Sequence, residues 1–379
     1  MVKIMVTGDN HIGLTFNNFK KCKDTLIESR FTALETLIDI ANKEKCDLFI
    51  VTGDLFDVLN TKKVKRTVDI LSKFHNEVYV LPGNHDFYAR DSKLWDEFNN
   101  ASDGKNITLL SEKEVYRTGT GINLYPAACD SKHSDDNALG WIKESSINTD
   151  EINIGVAHGT IEGLSSDEEG KYFCMSKKEL ESIPVDVWLI GHAHVPYPDT
   201  LRKMKTAENE KIYNVGTHAQ TRFDNDTEGY GMILEIDKDG NKAKLVKSGE
   251  CFFKRIAVDD SINNGDKLED AVELALPSGD KDKTVLEIRY VGRIDYANKK
   301  IIEEINEKYQ DDFLDIDYNT SDLEYNLDET MINNKFADKT ITADFLISLL
   351  DDPIEAQLAY ELFVNRKIKT ERTKRYEDK

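Results

Sequence analysis

The sequence predicts an α/β protein with a mainly parallel sheet, and three observations support this prediction. Short apolar runs occupy residues 48–51 and 78–81, as in strands that are buried on both faces. Stretches with helical spacing of apolar residues separate the first such runs by about 30 to 45 residues, which fits consecutive βαβ units. Side chains that bind metals follow several of the runs directly, at the strand ends where open α/β sheets place their ligands.

The first strand is predicted at residues 3–7, and Asp9 and His11 follow it. A single residue separates the two, so extended geometry would place both side chains on one side of the chain, as a metal site requires. The pair by itself is a weak indication. Residues 29–44 carry the pattern of a crossover helix, with Ser29 as its N-cap.

The second strand ends in the sequence Gly53-Asp54-Leu55-Phe56-Asp57, and Asp54 lies at its carboxyl end. Gly53 stops the apolar run after about six residues, which favours a strand over a buried helix segment. A Gly-Asp pair after a strand is also a common turn. A functional role for Asp54 is therefore indicated only together with the residues that follow the other strands at the same edge of the sheet.

A helix predicted at residues 61–75 leads to the third strand at 78–81, which releases Asn84 and His85. Because the carboxyl ends of parallel strands meet at one edge of a sheet, these residues should converge with Asp54 and the first pair. The basic cluster at 62–66 opens the helix. It indicates a solvated face more readily than a DNA contact.

Two further strands repeat the pattern: residues 152–157 precede His158, and residues 187–190 precede His192 and His194. Of the eight histidines in the chain, those directly beyond predicted strand ends are His11, His85, His158, His192 and His194. Scattered structural histidines would not concentrate in this way. His133 falls in a polar loop, where we expect it to be exposed and inert.

The loop after the strand predicted at 212–215 carries His218 and Arg222, and we assign both, together with Asp57, to contacts with a substrate. Strands at 230–236 and 243–246 then close the first domain, predicted at residues 1–250. Residues 251–318 alternate strand and helix patterns and predict a small α+β domain that could act as a cap.

Residues 319–339 are polar and acidic and predict a linker, and residues 340–379 carry two amphipathic helical segments with a basic end. A terminal helix that packs on its own domain is the plain interpretation of this tail. Because a linker separates it, we favour a pair of helices that binds a partner.

Composition bounds the function. The formal charge of −21 argues against a protein that coats DNA without specificity, although a metal cluster can reverse the field locally. No apolar run approaches the roughly 18 residues of a membrane span. The five cysteines form no C-x-x-C pair, which predicts free thiols, and the first strand leaves no room for a signal peptide. We expect a cytoplasmic protein.

Carboxylate, amide and imidazole groups suit hard or borderline divalent metals. One ion would take Asp9, His11 and His194, and a second would take Asn84, His158 and His192, with Asp54 bridging the two. Two such ions clamp an in-line displacement at phosphorus, and the site would keep a formal charge of about +2 that favours an anionic substrate. His85 lies beside a ligand and suits the protonation of a leaving oxygen, although it could instead orient the ligands.

The ordered motifs Asp-x-His (9–11), GDLFD (53–57), GNHD (83–86), His158 and GHAH (191–194) resemble those of the calcineurin-like metallophosphoesterases. Within that superfamily the chain is most similar to the double-strand-break repair nucleases of the Mre-eleven (SbcD) type. The motifs lie within residues 5–220. Asp57 departs from many relatives in that family, which have a histidine at this position.

The resemblance implies a metallophosphoesterase αββα sandwich with an α+β capping domain and a helical tail. It implies two manganese ions, 3′ to 5′ exonuclease action on duplex DNA, and endonuclease action on single strands or hairpins. It also implies a homodimer and an SMC-like repair ATPase of the Rad-fifty (SbcC) type that binds through residues 340–379.

Two alternatives stay open from the residues. A metallophosphoesterase could act on a phosphoprotein or a cyclic nucleotide, although phosphoprotein phosphatases have Arg-Gly after the second motif and a glutamate ending the third. Here Val58 follows Asp57, and Asp86 ends the third motif. A metal-free scaffold of the same fold would lack ligands, whereas all seven candidate ligands are present.

Overall fold

A computed structural model describes residues 1–57, 60–164, 171–225, 227–259, 265–295, 299–336, 340–352 and 354–364. The chain divides into two compact units, Met1–Phe253 and Lys254–Lys379. The sequence places this boundary at residue 250. No helix in the described ranges combines the length and the apolar character that a membrane crossing needs.

The described residues of the first unit form twelve strands and six helices. Its strands are β1 (Val2–Thr7), β2 (Leu48–Val51), β3 (Glu77–Val80), β4 (Ile107–Leu109), β5 (Tyr116–Arg117), β6 (Ile122–Ala127), β7 (Ile152–His158), β8 (Val187–Gly191), β9 (Thr206–Glu208), β10 (Ile212–Tyr213), β11 (Tyr230–Asp237) and β12 (Gly240–Lys247). Its helices are α1 (Lys23–Lys43), α2 (Thr61–Leu71), α3 (Lys93–Ser102), α4 (Gly140–Glu144), α5 (Lys177–Ser182) and α6 (Asp199–Met204).

These strands form two sheets. The seven-stranded sheet has the order β4-β3-β2-β1-β11-β12-β9, and its first four strands are parallel to one another. The five-stranded sheet has the order β10-β8-β7-β6-β5, in which β6, β7, β8 and β10 are parallel. The carboxyl ends of β1, β2 and β3 therefore lie side by side, as do those of β7 and β8.

The two sheets pack face to face. One core cluster joins residues of both sheets, including Ile4 and Ile50 from the first and Ile154 and Leu189 from the second. The outer face of the seven-stranded sheet is covered by α1, α2 and α3, and that of the five-stranded sheet by α4 and α5. Both faces of the central strands are thus buried, which explains their continuous apolar sequence. The predicted αββα sandwich is confirmed.

Helix α1 begins at Lys23 rather than at the predicted Ser29. Leu26 is buried within the added turn, and the Ser29 hydroxyl donates to the Leu26 carbonyl instead of capping a helix end. A serine inside a helix satisfies its hydroxyl on the preceding turn. Sequence alone does not separate this arrangement from a cap.

The second unit is built on a three-stranded sheet with the order β13-β14-β15. Its elements are β13 (Phe252–Asp259), α7 (Gly265–Ala275), β14 (Thr284–Asp295), α8 (Lys299–Tyr309), β15 (Asp315–Asn326), α9 (Glu329–Phe336) and α10 (Ile341–Ser348), followed by helical residues 354–364. Strands β14 and β15 are parallel, with a register shift between Arg289 and Val291.

The stretch predicted as an acidic linker, 319–339, differs from that prediction. Its first part continues β15 to Asn326, and residues 329–336 form α9. Strand β15 pairs with β14, more than twenty residues away in the chain, and Leu323 packs against the core of this unit. An acidic strand lacks the alternating or continuous apolar pattern by which strands are recognised in a sequence. Residues 337–339 and 365–379, including the basic end of the tail, lie outside the described residues.

Candidate metal centre

The seven candidate ligands lie at the carboxyl ends of β1, β2, β3, β7 and β8: His158 is the last residue of β7, and the others lie in the loops that follow the other four strands. The loops after β1 and β2 are joined by backbone hydrogen bonds from Asp9 N to the Gly53 carbonyl (3.1 Å) and from His11 N to the Asp54 carbonyl (2.8 Å). Gly53 has φ of +101°, and a Cβ there would lie 2.2 Å from His158 Nδ1. A glycine is needed at this point because the second sheet brings His158 directly against it.

The first half of the centre contains Asp9, His11 and His194. His11 Nε2 and His194 Nε2 are 3.1 Å apart. His194 Nε2 lies 3.7 Å from Asp9 Oδ1. Two imidazole nitrogens and a carboxylate oxygen therefore face one point, as the sequence predicts.

The second half contains Asn84, His158 and His192. Asn84 Oδ1 lies 3.0 Å from His158 Nε2 and 3.1 Å from His192 Nδ1. His158 Nδ1 is 2.9 Å from the Thr52 carbonyl, so it carries the proton and donates to that oxygen. This hydrogen bond leaves the lone pair of His158 Nε2 directed at the centre, the arrangement that metal-binding histidines adopt.

Asp54 lies between the two halves. Its Oδ2 is 3.7 Å from His11 Nε2 on one side and 3.3 Å from His158 Nε2 on the other. Its Oδ1 accepts a hydrogen bond of 2.8 Å from the backbone of His85. Oδ2 is thus the Asp54 oxygen that faces both groups of candidate ligands, while Oδ1 holds the loop after β3.

These residues fit a pair of divalent metal ions. Atoms that share one ion at bond lengths of about 2.0–2.2 Å lie roughly 3.0–3.5 Å from one another. The separations of 3.1 Å in the first half and of 3.0 and 3.1 Å in the second agree with this value, and the 3.7 Å between His194 Nε2 and Asp9 Oδ1 is slightly longer. Buried carboxylates are paired with cations or bind metals. Asp9 and Asp54 are both fully buried among nitrogen ligands, so the donor set and its burial both suit cations at this place.

Without metal ions, burial and neighbouring charges shift the pKa values of the candidate ligands strongly. Burial raises the pKa of Asp9 to about 8. Burial acts in the same direction on Asp54, but His158 overrides it and holds the pKa of Asp54 well below its usual range. The pKa of His158 is correspondingly raised to about 9, because the attraction of Asp54 exceeds the effect of burial. Burial lowers the pKa of His11 and of His194, which favours the neutral, ligating form of both rings.

Four of the ligand residues have a left-handed backbone. The φ angles are 49° at Asp9, 42° at His11, 51° at Asp54 and 100° at His192. Non-glycine residues in this region cost on the order of 1–3 kcal/mol each and persist when the surrounding structure holds them. The loops are therefore kept by their surroundings in a conformation that aims the side chains inward.

His85 stands at the edge of the centre with its side chain 40% exposed. Its Nδ1 lies 3.0 Å from Asp57 Oδ1, and the same oxygen is 3.6 Å from His11 Nδ1. The hydrogen bond to Asp57 raises the pKa of His85. Asp57, which the sequence assigns to substrate, lines the cavity above the centre and also contacts two histidines, so that it orients the His85 ring.

The centre forms the floor of a cavity of about 740 Å³. Arg222 lines this cavity and is exposed, in keeping with its predicted contact with substrate. His218 differs from the prediction: it is fully buried, and its Nε2 donates to the Arg30 carbonyl. A polar residue after a strand looks the same in sequence whether it faces a cavity or the core.

Several residues near the centre were not assigned to it from the sequence. Tyr172 lines the cavity, and its ring lies against that of His192 with a centroid distance of 5.2 Å. His133, expected to be inert, is exposed but packs on Tyr172 with a centroid distance of 5.0 Å. Arg30 and Asp86 are buried behind the ligand loops. Among the four, only Asp86 carried a sequence signal, as the last residue of the third motif.

Comparison with known proteins places this centre in a family. A sequence profile described as calcineurin-like phosphoesterase matches residues 2–196. The uncharacterized metallophosphoesterase YhaO of Bacillus subtilis is 25% identical over 245 residues, which cover 61% of this chain and 56% of that protein. The SbcD component of the nuclease SbcCD of Staphylococcus saprophyticus is 23% identical over 223 residues, which cover 52% of this chain and 57% of that protein. The chain thus spans little more than half the length of these two relatives.

Solved structures that resemble the chain include two phosphatases. The purple acid phosphatase PPD1 of yellow lupin matches with a TM-score of 0.40 and 15% identity, over 65% of this chain and 51% of that chain. A dimetal phosphatase of Danio rerio matches with a TM-score of 0.38 and 10% identity, over 65% of this chain and 99% of that chain.

Proposed function

The chain belongs to the calcineurin-like phosphoesterase family, and from that premise we propose that it is a two-metal nuclease that hydrolyses DNA phosphodiester bonds. One observation carries the proposal: two sets of candidate metal ligands lie on either side of Asp54, and a histidine held by a carboxylate stands at their edge. Metal centres of this kind suit displacement at phosphorus. The histidine adds a proton donor for the leaving group.

The ions would be held by Asp9, His11 and His194 on one side and by Asn84, His158 and His192 on the other, with Asp54 between them. When bound, two divalent cations supply Lewis-acid polarisation of the phosphoester and lower the pKa of water. We propose manganese as the metal, on the family resemblance. The mixed oxygen and nitrogen donors are compatible with this borderline ion.

His85 would donate a proton to the leaving oxygen of the cleaved strand. Asp57 accepts from His85 Nδ1 at 3.0 Å, which fixes the ring and leaves Nε2 as the atom that carries the transferable proton. Because the hydrogen bond to Asp57 raises the pKa of His85, a larger fraction of the ring is protonated near neutral pH. Arg222 at the cavity wall would contact a substrate phosphate.

DNA as the substrate rests on the motif resemblance and on the similarity to a protein named as part of a nuclease. The 3′ to 5′ polarity on duplex DNA and the action on single strands or hairpins belong to the same proposal. The acidic chain does not oppose it, because the cations and Arg222 would create a local positive field above the cavity floor.

A partner is proposed for the end of the second unit. Residues 354–364 are helical, and Ile354, Leu358 and Leu362, four residues apart, are 74%, 58% and 73% exposed. Phe345 of α10 is 47% exposed. An apolar helix face of this kind suits docking into a groove on another protein. We propose that an SMC-like ATPase covers it.

The decisive experiment follows an end-labelled duplex DNA during incubation with the purified protein and manganese, magnesium or a chelator. A parallel reaction contains bis-p-nitrophenyl phosphate, a generic phosphodiester. Manganese-dependent shortening of the labelled strand is expected. Turnover of the generic ester with intact DNA would contradict the nuclease proposal and assign the same centre to another phosphoester.

A further inference from the structure

Two buried charged side chains lie behind the metal centre. Arg30 is 1% exposed and Asp86 is 2% exposed. Among the described residues, every hydrogen bond that their side chains make goes to a backbone group of a loop, and neither residue lines the cavity. A buried charge is costly unless it is well satisfied, so each invites a functional explanation.

Arg30, on α1, binds the loop that carries the first ligands. Its Nε donates to the Asn10 carbonyl at 2.7 Å, and its Nη2 donates to the carbonyls of Asn10 and Asp9, the latter at 3.3 Å. Its Nη1 donates to the Ala219 carbonyl at 3.3 Å. The guanidinium thereby joins the loop after β1 to the loop that continues to Arg222.

The carbonyls that Arg30 binds belong to a strained segment. Asp9 and His11 both have positive φ, and Asn10 lies between them. Thr217 Oγ1 also donates to the Asp9 carbonyl at 2.9 Å. A planar guanidinium presents several donors in a fixed fork, whereas a lysine ammonium is a single mobile point charge. Arg30 is therefore suited to hold this backbone in the conformation that aims Asp9 and His11 at the centre.

Asp86 does the complementary work on the other side. Its Oδ1 accepts from Gly83 N at 2.7 Å, and its Oδ2 accepts from Phe56 N at 2.9 Å. It thus fastens the loop after β3, which carries Asn84, to the loop after β2, which carries Asp54. The two loops are in tight contact, because a Cβ on Gly83 would come within 2.3 Å of Asp54 N. The Asp54 backbone is also held by His11 N, which donates to the Asp54 carbonyl at 2.8 Å. Loss of either hydrogen bond to Asp86 would therefore displace Asn84 rather than Asp54.

We propose that Arg30 and Asp86 are positioning residues that each preorganise one half of the metal centre. Arg30 holds the Asp9 and His11 half, and Asp86 holds Asn84 against Asp54. Each half should therefore lose affinity for its own ion when the hydrogen bonds from its positioning residue, Arg30 or Asp86, are weakened. Substitution of a residue that orients a metal ligand commonly lowers the affinity for the metal by about 10- to 100-fold.

The test is a calorimetric titration of the full chain with manganese alone. Arg30→Lys keeps a positive charge but removes the fork, and Asp86→Asn keeps the shape but places an amide NH₂ against one of the two N–H donors. Each variant should bind one ion at least tenfold more weakly, with the other ion within twofold of wild type. Electron paramagnetic resonance should show loss of the spin-coupled manganese pair at intermediate concentrations.

The affected half is identified by combining each variant with a ligand substitution. In a His194→Ala background, which has already lost the first half, Arg30→Lys should cause no further loss of manganese affinity. In an Asn84→Ala background it should still weaken the remaining ion. Asp86→Asn should show the reverse pattern. Such non-additivity is expected only between groups that act on one site.

Two matched controls exchange the same residue types at exposed ion pairs: Arg66→Lys, which alters a pair with Glu28, and Asp69→Asn, which alters a pair with Lys105. Both should bind two ions as the wild type does. Wild-type manganese binding by both Arg30→Lys and Asp86→Asn would overturn the proposal. Equal weakening of both ions in folded protein, as judged by circular dichroism, would also overturn it, because that result indicates a general structural role.

The inference depends on the metal centre and not on DNA as the substrate. Manganese titration reports on it even if the protein cleaves another phosphoester. Conversely, if Arg30 and Asp86 proved not to be positioning residues, the nuclease proposal would be unaffected.

Discussion

The metal centre and the end of the second unit achieve specificity in opposite ways. The centre is built from polar side chains that are mostly buried and fixed by many hydrogen bonds, at the carboxyl ends of five strands. Residues 341–364 instead leave apolar side chains exposed on short helices with a small core around Ile332, Ala343 and Leu346. The first region holds its polar groups inside the fold, and the second presents an exposed apolar face, to which we propose that a partner binds.

The largest effect is expected from Asp54→Asn. This change removes the one charge that lies between the two halves, so both ions should bind much more weakly and cleavage should fall below detection. Binding of a partner to residues 340–364 should not change. Manganese titration and DNA cleavage measure the first result, and a pull-down of an SMC-like ATPase measures the second.

Retention of two tightly bound manganese ions in Asp54→Asn would contradict the bridging role. Loss of partner binding in a folded variant would show that the two regions are not independent.

His85→Leu separates proton transfer from metal binding within the centre. Removal of a general acid typically costs about 10²- to 10⁴-fold in rate, and we expect a fall of this size in kcat. Manganese should still bind with wild-type stoichiometry, because His85 is not among the ligand atoms of either half. Single-turnover cleavage together with calorimetry tests both statements. Loss of an ion would show that His85 is structural.

A feature can be predicted from the sequence when the residues that define it are adjacent in the chain, and not when it depends on contacts between distant residues. The ligand loops were predictable because each strand end and its polar residues are adjacent in the chain, and five strands repeat the pattern. Arg30 was not, since an arginine within an amphipathic helix looks like a surface residue until the loops after β1 and β10 are seen beside it. The substrate contact predicted for His218 was wrong for the same reason, because the burial of this residue depends on its contact with Arg30 of α1.

The second unit was harder to predict, since the last part of β15 is acidic and lacks the apolar run that marks the strands of the first unit. Strand β15 meets β14 across α8, and an acidic segment reads as a linker when that pairing is unknown. The apolar positions of residues 354–364 were found from helical spacing alone. Spacing does not say whether such a face is covered, and the structure leaves Ile354, Leu358 and Leu362 exposed.

Leu358→Asp tests that exposed face. A charge in the middle of an apolar docking surface should weaken binding of the ATPase partner by on the order of 10²-fold, as for a central interface residue. Nuclease activity should be unchanged, because the centre lies in the first unit. Leu358→Ala, which truncates the side chain without adding charge, should have a smaller effect. Surface plasmon resonance measures both, and equal binding by Leu358→Asp and wild type would refute this docking surface.

Asp57→Asn has the smallest expected effect and the narrowest meaning. Asparagine keeps the size of the side chain and, through its oxygen, one hydrogen bond to His85, but it removes the charge that strengthens the hydrogen bond from Nδ1. The His85 ring should be held less firmly, and kcat should fall by roughly tenfold with KM nearly unchanged, as expected for an interaction that matters in the transition state. In a His85→Leu background, the same substitution should have almost no further effect, because its role passes through that ring. A rise in KM at constant kcat would instead return Asp57 to the substrate contact that the sequence suggested.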